Sequence, residues 1–373
     1  MTFDRPHRRW HISLLLFLLG FIGVIAFLNY RSSLLEGTYI THVSNKDLTD
    51  TVSDIDHHPV PIQEAPIVQD CPHVTNEDTD KLEKELDSAA SYFKDEMYGK
   101  LVYKERVYDP PAQEVIDAIE RNFIEVAERT LLIAVVNHGM LEYTLNWIES
   151  LKRTEITNFL VFAIDQELVD ALTNIGLGSN VVLIPEEWRH VQLSGDFAAW
   201  KTNSYTPITH AKSLIVERLL YLDVTVWFSD VDIVFVNPNI YTHLMWNLKS
   251  RKNLHMVFSQ ETQYTSINSG FYLMRPTDVS KRVMGRTIDI QDRIPALTQQ
   301  RVMNRVLAGM DQQYKTSPML LLDLMLFPNG HFYFGSKLPI SLGFEPMMVH
   351  ANYRVGDAKK AALQDVGLWY LDN

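Results

Sequence analysis

Asp230 and Asp232 flank Val231 at the end of one apolar run, Val224-Thr-Val-Trp-Phe228, and ahead of another, Ile233-Val-Phe-Val236. Acids left inside an apolar segment cost free energy unless they are paired or bound to metal. Residues two apart in an extended chain project to one side, so the two carboxylates are expected to converge on one cation. Oxygen ligands suit a hard divalent ion, Mg²⁺ or Mn²⁺, of the kind that bridges phosphate oxygens. An Asp-x-Asp taken alone is more often a turn or a strand end than a metal site. Its place at the end of a buried strand favours the metal.

The elements that must position these acids read as α/β. Leu131-Leu-Ile-Ala-Val-Val136 is a short continuous apolar run, the signature of a strand buried on both faces. A helical stretch from Leu141 to Leu151 follows, then a strand from Phe159 to Ile164, a helix from Glu167 to Leu172 and a strand from Val181 to Ile184. An amphipathic helix from His210 to Leu220 feeds the strand that carries the acids. Such alternation predicts βαβ crossovers and a mainly parallel, Rossmann-like sheet. Upstream, Asp109-Pro110-Pro111 opens a helix with Val115, Ile119, Phe123 and Val126 at helical spacing. The first strand ends in Asn137-His138-Gly139-Met140, without a GxGxxG or a P-loop. That argues against dinucleotide oxidoreductases and P-loop NTPases.

The chain has 373 residues, 34 Lys+Arg against 46 Asp+Glu, and a formal charge of -12. It shows no basic stripe, so a nucleic-acid partner is not expected. Its one cysteine, Cys71, excludes an internal disulfide and a multi-cysteine metal site. Arg5, Arg8 and Arg9 outnumber Asp4 ahead of a stretch from His11 to Tyr30 that holds no acid, lysine or arginine. Its length matches a bilayer core, and Trp10 and Tyr30 bracket it. The apolar run exceeds a signal-peptide core, and no small-x-small cleavage site follows. The expectation is therefore a single-pass type II membrane protein. It would have a cytosolic tail over 1–10, a transmembrane signal anchor over 11–30 and a luminal remainder. Residues 31–108 read as an acidic, proline-containing stem with a helical part near 78–98, and the folded domain as 109–373. His57-His58 lacks a third ligand nearby and reads as solvated linker.

Three blocks carry a family resemblance. Phe228-Ser-Asp-Val-Asp-Ile-Val-Phe235, Asn268-Ser-Gly-Phe-Tyr-Leu-Met-Arg-Pro276 and Val349-His-Ala-Asn-Tyr-Arg-Val-Gly-Asp-Ala-Lys359 occur in that order. Together they resemble a nucleotide-diphospho-sugar transferase domain, and within that group glycosyltransferase family 77, which has the GT-A fold. The resemblance runs from about Leu131 to Trp369. It implies a retaining, Golgi-resident enzyme that uses a nucleotide-sugar, UDP-sugar above all, with a divalent cation, usually Mn²⁺.

Residue by residue, the resemblance gives Asp230 and Asp232 to the metal and nucleotide, with His350 completing the metal site. Gly356 and Lys359 match a Gly-x-x-Lys element whose lysine approaches the diphosphate. Glycine permits close backbone approach, and an ammonium neutralises phosphate charge. Lys212 reads either as a donor-binding lysine or as a surface lysine of its helix. Asn268, Ser269 and Gly270 form a polar turn ahead of a strand, expected to touch donor sugar or acceptor. Relatives place Asp-Gln before a helix reading x-x-x-Asn. Here the aligned residues are Gln299-Gln300 followed by Asn304, with Asp311-Gln312 later, so Gln300 is the group expected on the reacting face. Asp323 has a family counterpart and is expected to bond backbone near a turn. Trp188, Trp200 and Tyr205 form either an acceptor platform or buried packing.

The function that follows is metal-dependent transfer of a sugar to a glycan or glycoprotein acceptor. The alternative is an inactive transferase-like lectin or scaffold associated with other Golgi enzymes, which has no need of Asp230, Asp232, His350 and Lys359 together. A secretory phosphodiesterase would want a denser His/Asp cluster for two metals.

Overall fold

The apolar run around Leu131 forms β1 (Thr130–Val136), with every residue buried. Its side chains alternate between two cores, Leu131, Ile133 and Val135 on one face and Leu132, Ala134 and Val136 on the other. Period-two alternation on a strand covered from both sides explains why the run carries no polar residue. This is a computed structural model. It describes residues 80–88, 106–190, 205–261, 266–310, 313 and 315–371, all within one unit spanning Gln69–Asn373.

In chain order, α1 (Gln113–Arg121) precedes β1, and α2 (Leu141–Arg153), β2 (Leu160–Ala163), α3 (Gln166–Asn174) and β3 (Val181–Leu183) follow. Then come α4 (Tyr205–Tyr221), β4 (Thr225–Ser229), β5 (Ile233–Phe235), α5 (Ile240–Lys249), β6 (Met256–Gln260) and β7 (Ile267–Met274). The last part holds α6 (Asp278–Arg293), α7 (Gln299–Ala308), β8 (Met319–Leu321), α8 (Leu338–Ser341), β9 (Met348–His350) and α9 (Asp357–Asp365).

The main sheet is seven-stranded, in the order β3-β2-β1-β4-β7-β6-β8. Pairings from β3 through β4 are parallel, and so is β6 with β8. β7 runs antiparallel to both β4 and β6, so the sheet is mainly parallel, as expected, with one reversed strand next to β4. α4, α6 and α7 supply Ile215, Met284 and Met303 to one face, and α2, α3 and α5 supply Trp147, Leu168 and Leu244 to the other. β5 and β9 form a separate two-stranded antiparallel sheet. Strand order reverses at β1, between β2 and β4, and open α/β sheets bind ligands beyond the carboxyl ends of strands at such a point. β4 ends at Ser229, one residue before Asp230.

Several expectations are corrected. The predicted helix after Pro111 stops at Arg121, and Val126 is exposed in the turn before β1 rather than on an apolar helical face. Residues 80–88, assigned to the stem, are helical and pack on the domain. Leu86 joins the core, and Glu83 pairs with Arg305 of α7 at 2.8 Å. Arg106, also assigned to the stem, pairs with the buried Glu217 of α4 at 3.1 Å.

The membrane reading is corrected as well. Among the described residues no helix is long and apolar enough to cross a membrane. The segment 11–30 on which the anchor rested, like the tail, His57-His58 and Cys71, lies outside the described residues. The transmembrane anchor, the single-pass type II topology, the membrane partner and the Golgi placement are accordingly withdrawn.

Candidate active site

Asp230 and Asp232 do not lie on one extended strand. Residues 230–232 form a turn between β4 and β5, which belong to different sheets, so the acids converge through the turn and not through strand alternation. Both sides of the turn are held. Trp147 Nε1 donates to Ser229 Oγ at 3.1 Å, and Ser229 Oγ donates to the Asp230 carbonyl at 2.9 Å. Asp230 N–H donates to the Gly270 carbonyl at 2.7 Å, and Ala351 N–H donates to the Asp232 carbonyl at 2.9 Å.

The small sheet brings in the third ligand. β5 pairs with β9 in a register that sets Ile233 opposite His350, which puts the imidazole beside the acid preceding the strand. His350 Nε2 lies 3.2 Å from Asp232 Oδ1. One ligand atom from each of Asp230, Asp232 and His350 falls within 4.8 Å of the others, a set able to hold a metal ion. Two carboxylates and an imidazole match the chemistry of a divalent ion of the Mn²⁺ type.

Gly270 provides a test of fit. A Cβ at this position would stand 2.7 Å from Asp230 Oδ2 and 2.7 Å from His350 Cε1. The strand therefore presents bare backbone where the ligands meet, and any larger residue would intrude on them.

Two lysines flank the acids. Lys212 Nζ donates to Asp230 Oδ1 at 2.5 Å, so this helix lysine lies beside the acids and is not exposed on the surface. Lys359 Nζ donates to Asp232 Oδ2 at 2.5 Å. Burial alone would raise the Asp232 carboxyl, but the Lys359 ammonium and the His350 ring outweigh it and hold the group well below the usual carboxylate range. Gly356 precedes α9 with φ of 54°, a left-handed conformation that glycine adopts without strain. Its carbonyl accepts Lys359 N–H at 3.0 Å and the Tyr143 hydroxyl at 3.2 Å. Burial, with Asp232 adding to it, pushes the Tyr143 hydroxyl up to about 12, so it stays protonated as a donor.

Asn268, Ser269 and Gly270 lie inside β7, not in a turn ahead of it. The β6–β7 register shifts between Phe258 and Ser259, and a bulge of this kind re-aims side chains next to a site. Asn268 Oδ1 accepts Gly270 N–H at 2.8 Å, and Asn268 Nδ2 donates to Glu261 Oε1 at 2.7 Å. Gln300 accepts Ser269 N–H at 3.1 Å and donates to the same Glu261 oxygen at 2.8 Å. Asn304 bonds the Ile267 N–H and carbonyl at 2.8 Å and 2.9 Å, so it fastens α7 to the start of β7.

Glu261 was not singled out from sequence, nor was Tyr353, whose hydroxyl donates to Glu261 Oε2. No pattern marked Glu261, and Tyr353 lies in the third family block without a role attached to it. Glu261 follows β6 as an isolated acid, and Tyr353 reaches it from a backbone with φ of 59° that a bulky residue rarely adopts. Trp188 is buried and stacked on Phe162 with ring centroids 6.0 Å apart, which makes it core and not platform. Trp200, the Tyr205 side chain and Asp311-Gln312 lie outside the described residues. Asp323 accepts Met325 N–H at 2.7 Å within a turn.

The chain resembles known proteins in sequence. The chain is 23% identical over 263 residues to a beta-arabinofuranosyltransferase of Arabidopsis thaliana, covering 65% of this chain and 48% of that protein. It is 22% identical over 305 residues to a UDP-galactose:fucoside alpha-3-galactosyltransferase of Dictyostelium discoideum, covering 68% of this chain and 45% of that protein. The chain thus spans about half the length of these relatives. Among solved structures, the galactosyltransferase LgtC with donor and acceptor sugar analogs overlaps 64% of this chain and 94% of its own, at a TM-score of 0.42 and 12% identity. Overlap at that level says nothing of substrate. The cluster of Asp230, Asp232 and His350 and a match to a family of transferases support a transferase role for the domain. The model of the nucleotide-diphospho-sugar transferase family matches residues 154–364, more than half of the chain and every residue of the cluster, so this chain belongs to that family.

Proposed function

We propose that the domain transfers a hexosyl or pentosyl group from a nucleotide-sugar, with UDP as the nucleotide, to a hydroxyl of a glycan or glycoprotein, with retention at the anomeric carbon. Placement within glycosyltransferase family 77 belongs to the same proposal and rests on the three sequence blocks. The arabinosyl and galactosyl names of the curated relatives are consistent with such a donor. The observation that carries the reading is the convergence of Asp230, Asp232 and His350 between two lysines, around a backbone left bare by Gly270.

In the transfer, the bond between the anomeric carbon and the diphosphate breaks and negative charge grows on the departing oxygens. Mn²⁺ held by Asp230, Asp232 and His350 would supply Lewis-acid neutralisation of that charge. Lys212 and Lys359 stand beside the same acids, within reach of the phosphate oxygens that a cation on those acids would draw in. Their positive charge stabilises the leaving group more as it departs than before. We assign Ser269 and Gln300, joined by one hydrogen bond next to Gly270, to the donor sugar. Glu261 keeps Gln300 and Asn268 in place. Without a free carboxylate nucleophile in the described site, acceptor attack on the leaving-group face is the route we favour.

The test is a panel of UDP-sugars incubated with the full chain and Mn²⁺, reading UDP release with and without glycan acceptors. Turnover of at least one UDP-sugar, raised by an acceptor, is expected. Absence of UDP release across the panel, together with absence of UDP binding, would leave the lectin or scaffold reading in its place.

A further inference from the structure

A second set of metal-ligating side chains, distinct from the cluster at Asp230, sits on the face of the sheet that α4 and α6 cover. His190 Nδ1 lies 2.9 Å and His210 Nε2 lies 3.1 Å from one and the same oxygen, Asp292 Oδ1. One ligand atom from each residue falls within 4.8 Å of the others. His210 is 5% exposed, and its Nε2, though close to the carboxylate, meets the geometry of a hydrogen bond with nothing. The His190 contact is a hydrogen bond, whereas the His210 nitrogen is paired with the same oxygen at 3.1 Å but out of line for one, an aim that suits a ligand turned toward a shared ion. A tetrahedral zinc centre with bonds of about 2.0–2.2 Å sets neighbouring ligand atoms at about 3.3 Å. The two separations to Asp292 Oδ1, 2.9 Å and 3.1 Å, are a few tenths of an ångström shorter, so a slight opening there admits the ion.

The three ligands come from separate and well-anchored elements. His190 follows the single helical turn Glu186–Trp188, which the Trp188 ring fixes on Phe162. His210 lies on α4 and Asp292 in the last turn of α6. Those two helices are tied next to the site, where Ser213 Oγ donates to Gln291 Oε1 at 2.7 Å with both residues buried. Ligands on packed elements reach a metal with little reorganisation.

We propose that His190, His210 and Asp292 form a second metal site that takes Zn²⁺. Two imidazoles and one carboxylate are a borderline donor set, softer than the two-carboxylate cluster at Asp230, and so favour Zn²⁺ over Mn²⁺ or Mg²⁺. His190 and Asp292 are partly exposed, which leaves the fourth position to water. The role is structural. The ion fastens the segment after β3 to α4, the helix that delivers Lys212 to Asp230 two residues beyond His210.

The experiment uses the full chain carrying Asp232→Asn, which disables the other cluster. Zn²⁺ is titrated by calorimetry, melting temperature is followed, and visible absorption is recorded with Co²⁺ in place of Zn²⁺. We expect one equivalent of Zn²⁺ to bind and raise the melting temperature, and Co²⁺ to give the absorption of a four-coordinate site. Adding His190→Ala or Asp292→Asn, both at exposed positions, should weaken binding at least ~100-fold and abolish the rise. No Zn²⁺ uptake in the Asp232→Asn chain would overturn the proposal. So would uptake unchanged by both added substitutions, and the cluster would then be a histidine–carboxylate clasp without an ion.

Discussion

At the scale of single residues, a methyl group separates a ligand cluster from an ordinary polar pocket. Gly270→Ala would place a Cβ 2.7 Å from both an Asp230 oxygen and His350 Cε1. Gly270 sits in a strand without positive φ, so the substitution strains no backbone, and its cost falls on the ligands. Mn²⁺ affinity, read by calorimetry, should fall at least ~10-fold while the melting temperature changes little. Lys359→Ala makes a different demand. If the ammonium answers charge that grows on the leaving group, kcat should fall as well as the affinity for donor, by about 10-fold or more. A lysine that serves only to neutralise Asp232 would alter stability and leave kcat alone. Steady-state kinetics on the UDP-sugar found in the panel separate the two.

Among the elements, the docking of residues 80–88 yields a prediction with a definite sign. Partial burial would raise the Glu83 carboxyl, but hydrogen bonds and charge from Arg301 and Arg305 outweigh it and hold it below its ordinary value of 4.5. A depressed carboxyl contributes stability that is present above the unfolded value and lost as pH falls through the folded one. Wild type should therefore melt above Glu83→Gln at neutral pH, with a difference that closes as pH drops below 4.5. The pair is more than a third exposed, so the effect should be about 0.5 kcal/mol, after allowance for screening. A difference independent of pH would mean that packing of Leu82 and Leu86, and not the ion pairs, holds the segment.

The same scale shows what was legible in advance. β1, β2 and β4 could be read because strands buried on both faces are largely apolar runs, and α4 because its apolar residues recur at helical spacing. The turn at Asp230 was mistaken for continuous strand. Ile233-Val-Phe235 is apolar like β4, and only its pairing with β9, far along the chain, shows that it belongs to another sheet. Asn268 to Gly270 looked like a turn because polar residues and glycine usually mark one, whereas here the bulge in β6–β7 accommodates them. Glu261, Tyr353 and the Arg106–Glu217 pair had no local signature, since each depends on a partner distant in sequence.

For the whole molecule, the family match spans the metal-capable cluster, which lies just beyond the carboxyl end of β4, beside the point where the strand order reverses. The central claim is that Asp230, Asp232 and His350 bind a nucleotide diphosphate through a divalent cation. Calorimetric titration of UDP into the full chain, with Mn²⁺ and with EDTA, tests it most directly when wild type is compared with Asp232→Asn. UDP should bind wild type only with Mn²⁺ present, and Asp232→Asn should lose about 100-fold or more of that affinity, on the order of 3 kcal/mol. Equal UDP binding in EDTA, or an Asp232→Asn chain that binds like wild type, would contradict the account.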